Sequence, residues 1–136
     1  MIYKFLKPGE VLQEKVEELF KEISGVSPVS LENNEVRSHP SKVLVCIECS
    51  QVIAAIEVYD VTSIETRIIN LAVKSDFRYK GIATGLLTRI ESGVGSKHEE
   101  ACIRLIPTSD SCDFYLKNGY KPDLTHEYDW FKKINT

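Results

Sequence analysis

A mixed α/β fold, one mainly antiparallel sheet with helices on both faces, is what this sequence predicts. Three observations predict it. Short β-rich apolar runs alternate with stretches of helical apolar spacing, in the order β-α-β-β-β-α-β-α-β-β. The strand–helix–strand passage from Arg67 to Ile106 demands a parallel pair joined by a right-handed crossover. The hairpins on either side of that passage make the remaining pairings antiparallel. A length of 136 residues fits one domain, read here as 1–136, with no internal repeat and no dividing linker.

Each element has a local reason. Ile2 to Lys7 alternates loosely and reads as a first strand. After Pro8-Gly9-Glu10, the apolar residues Leu12, Val16, Leu19, Phe20 and Ile23 recur at helical spacing with charges opposite, and Gly25 stops the helix. Ser24 to Ser41 is polar, carries Pro28 and Pro40, and reads as a long loop of the kind that often serves function. Lys42–Glu48 and Val52–Tyr59 are β-rich runs joined by the short link Cys49-Ser50-Gln51, a hairpin. Arg67–Val73 is almost continuously apolar, as in a strand covered on both faces. Ile82, Leu86, Leu87, Ile90 and Val94 mark an amphipathic helix ending near Gly93 or Gly95. Ala101–Ile106 is a strand closed by Pro107, and Ser109–Lys117 a helix stopped at Gly119. Tyr120 begins a strand interrupted by Pro122, and Glu127–Ile134 alternates with Tyr128 and Trp130 on one face.

Composition removes several classes of function. A formal charge of −3 with no basic run argues against nucleic acid, whose phosphates demand clustered cations. No apolar stretch approaches the roughly 20 residues of a membrane span, and the N-terminus breaks too early for a secretory signal. The expected location is cytoplasmic. Cys46-Ile47-Glu48-Cys49 has the spacing of redox and zinc sites, but it closes a strand rather than opening a helix. His39, His98 and His126 stand singly, so buried or turn cysteines are the preferred reading and no metal is expected.

The chemistry gathers where the Arg67–Val73 strand meets the next helix. Arg78-Tyr79-Lys80-Gly81-Ile82-Ala83 supplies two cations and two small residues at a helix start. Unpartnered amides and the positive end of the helix dipole face an anion there, and small residues let it approach the backbone. The physical reading is a pyrophosphate cradle; the bland alternative is a helix cap beside a solvated basic turn. The usual nucleotide signatures are absent.

Val73 through Ala83 resembles motif A of the GNAT superfamily of N-acetyltransferases, Q/R-x-x-G-x-G/A, with Arg78, Gly81 and Ala83 at its specified positions and Leu71-Ala72-Val73 as the preceding strand. Asp113-Phe114-Tyr115-Leu116-Lys117-Asn118-Gly119-Tyr120 resembles motif B. The similarity runs from Lys42 to Ile134. Thr108, Ser111 and Ser75 stand where many members have Asn, Ala and Pro.

The resemblance implies acetyl-CoA as cosubstrate, held in a wedge where the central parallel strands, Arg67–Val73 and Ala101–Ile106, splay apart. Its pantetheine arm would pair with the backbone at Leu71, Ala72 and Val73 like an added strand. The amides of Arg78, Tyr79, Lys80, Gly81, Ile82, Ala83 and Thr84 would take the pyrophosphate, with charge-assisted help from Arg78 and Lys80. The implied reaction is acetyl transfer to a primary amine by direct attack, a backbone N–H near Val73 facing the developing oxyanion.

Tyr115 is the implied general acid for the departing thiolate; its alternative is simple aromatic packing with Phe114 and Tyr120. For the base, Glu57 lies in an apolar strand and shares a face with Ile53, Ala55 and Tyr59, a setting that favours proton uptake near neutrality. Glu65 and a water chain are the other possibilities, and a solvent-facing Glu57 is its own bland alternative.

The acceptor would be a small-molecule or peptide amine, received beside the Ser24–Ser41 loop with Glu32 and Glu35. The protein itself would be a monomer or a homodimer. Two other classes compete: a catalytically inactive acyl-CoA-binding or regulatory module, and an α/β interaction domain without a CoA site.

Overall fold

A computed structural model describes residues 1–7, 10, 12–24 and 41–135. The predicted loop between Ser24 and Ser41, with Glu32 and Glu35, lies outside the described residues, as do Gly25 and His39. The elements follow the predicted order. They are β1 (Ile2–Phe5), α1 (Leu12–Ser24), β2 (Lys42–Glu48), β3 (Gln51–Asp60), β4 (Glu65–Val73), α2 (Ile82–Gly95), β5 (Cys102–Leu105), α3 (Cys112–Lys117), β6 (Lys121–Pro122) and β7 (Trp130–Lys133). They build one seven-stranded sheet of order β1-β2-β3-β4-β5-β7-β6. All pairings are antiparallel except β4 with β5, which is parallel, with α2 inside the crossover. No helix among the described residues is long and apolar enough to cross a membrane.

Two apolar layers explain why helices cover both faces. On one side Val16, Leu19 and Phe20 of α1 meet Val45, Val52, Ala55 and Ala72. On the other, Ile82, Leu86, Leu87, Ile90 and Val94 of α2 meet Leu44, Ile53, Ile56, Ile68, Ile103 and Leu105. These are the positions that the helical period selects. Gly85 has a specific duty here: a Cβ on it would lie 2.8 Å from the Tyr3 hydroxyl, so its bare backbone lets β1 seat against α2.

Two bulges re-aim the strands. One, opposite Cys46 and Ile47, turns Ile53 and Ala54 alike towards the α2 layer. The second lies in the β3–β4 ladder beside Glu57, where Ile69 has no partner. Glu57 therefore shares the α1 face with Ala55 but not with Ile53, correcting the simple alternation. The C-terminal strand also starts later than expected. Tyr128 precedes it in a left-handed turn (φ 69°) and is 72% exposed, whereas Trp130 packs on the α2 core, so the two do not share one face.

The β2–β3 hairpin turns on two residues, Cys49 and Ser50, with φ of 50° and 63°. Such a turn suits Asn-Gly, because side chains with a full Cβ pay for left-handed φ. Replacing the pair by Asn-Gly should raise stability by about 1 kcal/mol, read as a higher midpoint in urea. Cys46, by contrast, is buried, and burial pushes its thiol pKa up; the two cysteines of the C-x-x-C spacing occupy different environments, and all four cysteines are free.

Candidate active site

The parallel ladder between β4 and β5 is short. Glu65, Thr66 and Arg67 pair with Cys102, Ile103 and Arg104, and residues 68–73 of β4 run on with no neighbour on that side among the described residues. The Lys74 amide donates to the Ile53 carbonyl at 2.8 Å. Strand alternation then turns Ala72 towards β3 and leaves the peptide groups of Leu71 and Val73 facing the gap. Their side chains pack on the α2 core, so the open edge has a firm apolar floor. Within the gap the Val73 carbonyl accepts a 3.4 Å hydrogen bond from Arg78 Nε.

At the end of β4 the chain makes a short 3-10 turn, Ser75–Phe77, and enters α2 through Arg78, Tyr79, Lys80 and Gly81. Tyr79 and Gly81 both have left-handed φ, 64° and 78°. For Tyr79 that conformation costs on the order of 1 kcal/mol. Gly81 is the N-cap of α2 and contributes no side-chain cap. Its carbonyl accepts from Gly85, so the amides of Ile82, Ala83 and Thr84 precede the first intrahelical bond. Space beside Gly81 is open, with nothing within 4 Å of an added Cβ. Arg78, Tyr79 and Lys80 are exposed around this turn. Uncapped amides, two cations and clear approach are the elements of an anion site.

Tyr115 stands on α3 with its ring edge-on to Phe114 at 5.1 Å and to Tyr120 at 5.6 Å. It is only 4% exposed and belongs to the α2-side cluster that Leu71, Val73 and Phe114 also join. Phe114, expected to do the packing, is the less buried of the two. Burial raises the Tyr115 phenol well above its ordinary pKa, so it is a hydroxyl and not a phenolate at any working pH. That hydroxyl has no hydrogen-bond partner among the described residues. Buried polar groups usually have a partner, so an unpartnered hydroxyl at this depth calls for an explanation. Thr108 and Ser111, just before α3, hydrogen-bond one another at 3.0 Å.

Glu57 is fully buried, on the opposite face of the sheet from Tyr115. Its carboxylate accepts 2.8 Å hydrogen bonds from Ser41 Oγ and Asn70 Nδ2, with no cation paired to it among the described residues. Neither partner was singled out in the sequence. Asn70 had a signal, the one amide in an apolar run, but Ser41 had none. Tyr115 and Glu57 thus do not meet directly. The sheet lies between them. Glu65 lies at the closed end of the β4–β5 ladder, 3.3 Å from Arg104 Nε.

Sequence reasoning also missed a charge network on the Glu57 face. Arg67 holds Asp129 through its two terminal guanidinium nitrogens (2.7 and 3.3 Å), and Arg104 holds Asp123 at 2.6 Å. The two aspartates bracket the segment from β6 to β7 and pin it to β4 and β5. Hydrogen bonds from Thr125, and then Arg104, hold the Asp123 carboxyl well below the usual range. A carboxylate depressed in the folded state stabilises above its unfolded pKa, about 3.9, and loses that contribution as pH falls below it. An Arg104→Met variant should therefore lose less stability than wild type between pH 6 and pH 3, measured by urea titration at each pH.

Comparison with known proteins gives the family and the fold. The Acetyltransferase (GNAT) domain model matches residues 39–122, and the chain belongs to the GNAT acetyltransferase family. Acetyl transfer is its class of chemistry, and the sheet with its β4–β5 pair is the fold of GNAT acyltransferases.

Solved structures of the same fold include PaiA N-acetyltransferase from Thermoplasma acidophilum in complex with coenzyme A. It has a TM-score of 0.74 and 20% identity, covering 98% of this chain and 99% of that one. Aminoglycoside 6'-N-acetyltransferase from Enterococcus faecium gives 0.73 and 17%, with 98% and 97% covered. Tetrahymena GCN5 gives 0.78 and 13%, with 98% and 96% covered. At these identities the likeness is one of fold. No curated protein sequence matches the chain.

Proposed function

We propose that this protein is an N-acetyltransferase that moves an acetyl group from acetyl-CoA to a primary amine by direct attack, with Tyr115 as general acid. The observation that carries the reading is the Tyr115 hydroxyl, on a buried side chain and unpartnered among the described residues, in the same cluster as the open edge of β4. Acetyl-CoA supplies the acetyl group as a thioester. The chain's own groups suit it: the peptide groups of Leu71 and Val73, on either side of Ala72, offer an added-strand pairing for pantetheine. The amides of Ile82, Ala83 and Thr84, with Arg78, Tyr79, Lys80 and Gly81 around them, offer an anion cradle. The coenzyme A complex of the Thermoplasma relative supports the same donor class.

Each proton then has a carrier. Tyr115 Oη gives its proton to the departing thiolate sulfur, whose free pKa is roughly 8.5 by analogy with a cysteine thiol. The Val73 amide faces negative charge developing on the carbonyl oxygen. On the other face Glu57 takes the proton of the attacking amine through a bridging water. Glu57 is favoured over Glu65 because Glu65 is engaged with Arg104 where the strands are closed.

The acceptor reaches the gap from the Glu57 side, and the aminoglycoside and other N-acetyltransferases of this fold support an amine there. The test is thiol release from acetyl-CoA with spermidine, lysine, kanamycin and a lysine-bearing peptide, beside a melting-temperature shift with acetyl-CoA alone. A shift together with amine-dependent release is expected. A shift without release under any amine replaces the enzyme by an acyl-CoA-binding module, and no shift sinks both.

A further inference from the structure

The Tyr115 hydroxyl has no hydrogen bond among the described residues, yet a donor must be held in place to act. What holds it is a polar cluster behind its ring. The Tyr120 ring lies edge-on to Tyr115, and the Tyr120 amide donates to the Tyr115 carbonyl at 2.9 Å. With Gly119 donating to Leu116 at 3.1 Å, this closes α3 in a Schellman turn for which Gly119 supplies the left-handed φ of 92°.

The Tyr120 hydroxyl, itself fully buried, donates to Glu91 Oε2 at 2.9 Å. Lys132 Nζ lies 3.2 Å from both Glu91 oxygens and donates to the Asn118 carbonyl, the C-cap of α3, at 2.9 Å. A Cβ at Gly119 would stand 3.2 Å from Lys132 Cε, so the same glycine gives the lysine its path.

Three elements meet in this cluster: α2 through Glu91, the end of α3 through Asn118 and Tyr120, and β7 through Lys132. Glu91 belongs to the helix whose first turn forms the anion cradle, and Tyr115 to the helix clamped against it. We propose that Glu91, bridged to Tyr120 and Lys132, is a positioning residue that fixes the Tyr115 hydroxyl relative to the cradle. This rests on Tyr115 being the acid. Glu91 itself touches neither the open edge of β4 nor the Tyr115 ring in the contacts described. Its effect passes through Tyr120, so it belongs to rate and not to donor affinity.

The experiment is a double-mutant cycle on the full chain, read as thiol release from acetyl-CoA with the fastest amine of the panel and, without amine, as hydrolysis. Glu91→Ala and Tyr120→Phe should each lower kcat about tenfold, the scale of a modest misplacement of a reacting group, with KM for acetyl-CoA within about twofold of wild type. In a Tyr115→Phe background the same changes should cost no more than about twofold further. Glu91→Gln, isosteric and still able to accept from Tyr120, should fall between wild type and Glu91→Ala and repeats the cycle if Glu91→Ala does not fold.

In ring-labelled protein without ligand, the single NMR line of Tyr115 should broaden or split in Glu91→Ala. Equal losses of rate in both backgrounds, a rise in KM that accounts for the fall, or an unchanged Tyr115 line overturns the clamp. A Tyr115→Phe protein with full rate overturns the acid assignment instead, which separates the two failures.

Discussion

Replacing Tyr115 by Phe should lower kcat by about a hundredfold to a thousandfold while leaving the acetyl-CoA melting shift intact. The ring does the packing: it makes the edge contacts to Phe114 and Tyr120, and Phe retains them. The hydroxyl makes no hydrogen bond among the described residues, so its loss removes no protein partner and leaves no group unsatisfied. A purely structural tyrosine would thus give a variant as stable and as active as wild type. A proton donor would give one as stable and far slower, since positioned acid–base groups contribute roughly 10²–10⁴-fold. The raised pKa of this phenol sets the sign with pH: it carries its proton throughout the working range, so no loss of rate from its ionisation is expected up to about pH 10, the ordinary phenol value. A Tyr115→Phe enzyme with wild-type kcat ends the assignment.

The second large effect is on binding. Gly81→Asp should weaken acetyl-CoA by about a hundredfold or more, seen as loss of the thermal shift at concentrations that saturate wild type. The position is the N-cap of α2, and a carboxylate there competes for the same first-turn amides and repels a diphosphate. Folding should suffer little. The open space around Gly81 admits the side chain, and the gain of a cap of about 1 kcal/mol offsets a left-handed φ of similar cost. The carboxylate is thus a binding lesion in a folded protein. Gly81→Ala, strained but uncharged, is the control and should bind far better than the aspartate variant. Equal binding by both variants would move the diphosphate away from this turn.

Much of this was legible in the residues because local periodicity and burial agree. The apolar residues of α1 and α2 sit at helical spacing and face two separate layers, and the run ending at Val73 has core on both sides. The Arg78–Ala83 turn could be read as a helix entrance, since a glycine between cations and an apolar helix has few other uses. What escaped was set across strands. The bulge that moves Glu57 out of line with Ile53 arises from ladder register, which no single strand encodes. The partners of Glu57, and the arginines that pin Asp123 and Asp129, join residues far apart in the chain. Tyr115 was singled out by its motif, but its depth depended on how α3 closes against β7. The later start of β7 follows from Asp129 being held by Arg67, which keeps the preceding residues in a turn.

The early end of the β4–β5 ladder has a consequence for exchange with solvent. Along residues 70–73 β4 is paired to β3 on one side and has no neighbour on the other among the described residues, so neighbouring amides differ in their access to deuterium. In the free protein Ala72 and Lys74 should keep their hydrogens for long times while Leu71 and Val73 give theirs up quickly, an every-other-residue rhythm inside a single strand. A substrate that lies along that bare side slows the fast pair and leaves the slow pair unaltered. The molecule therefore carries its own reporter of occupancy, written in two amides on either side of Ala72.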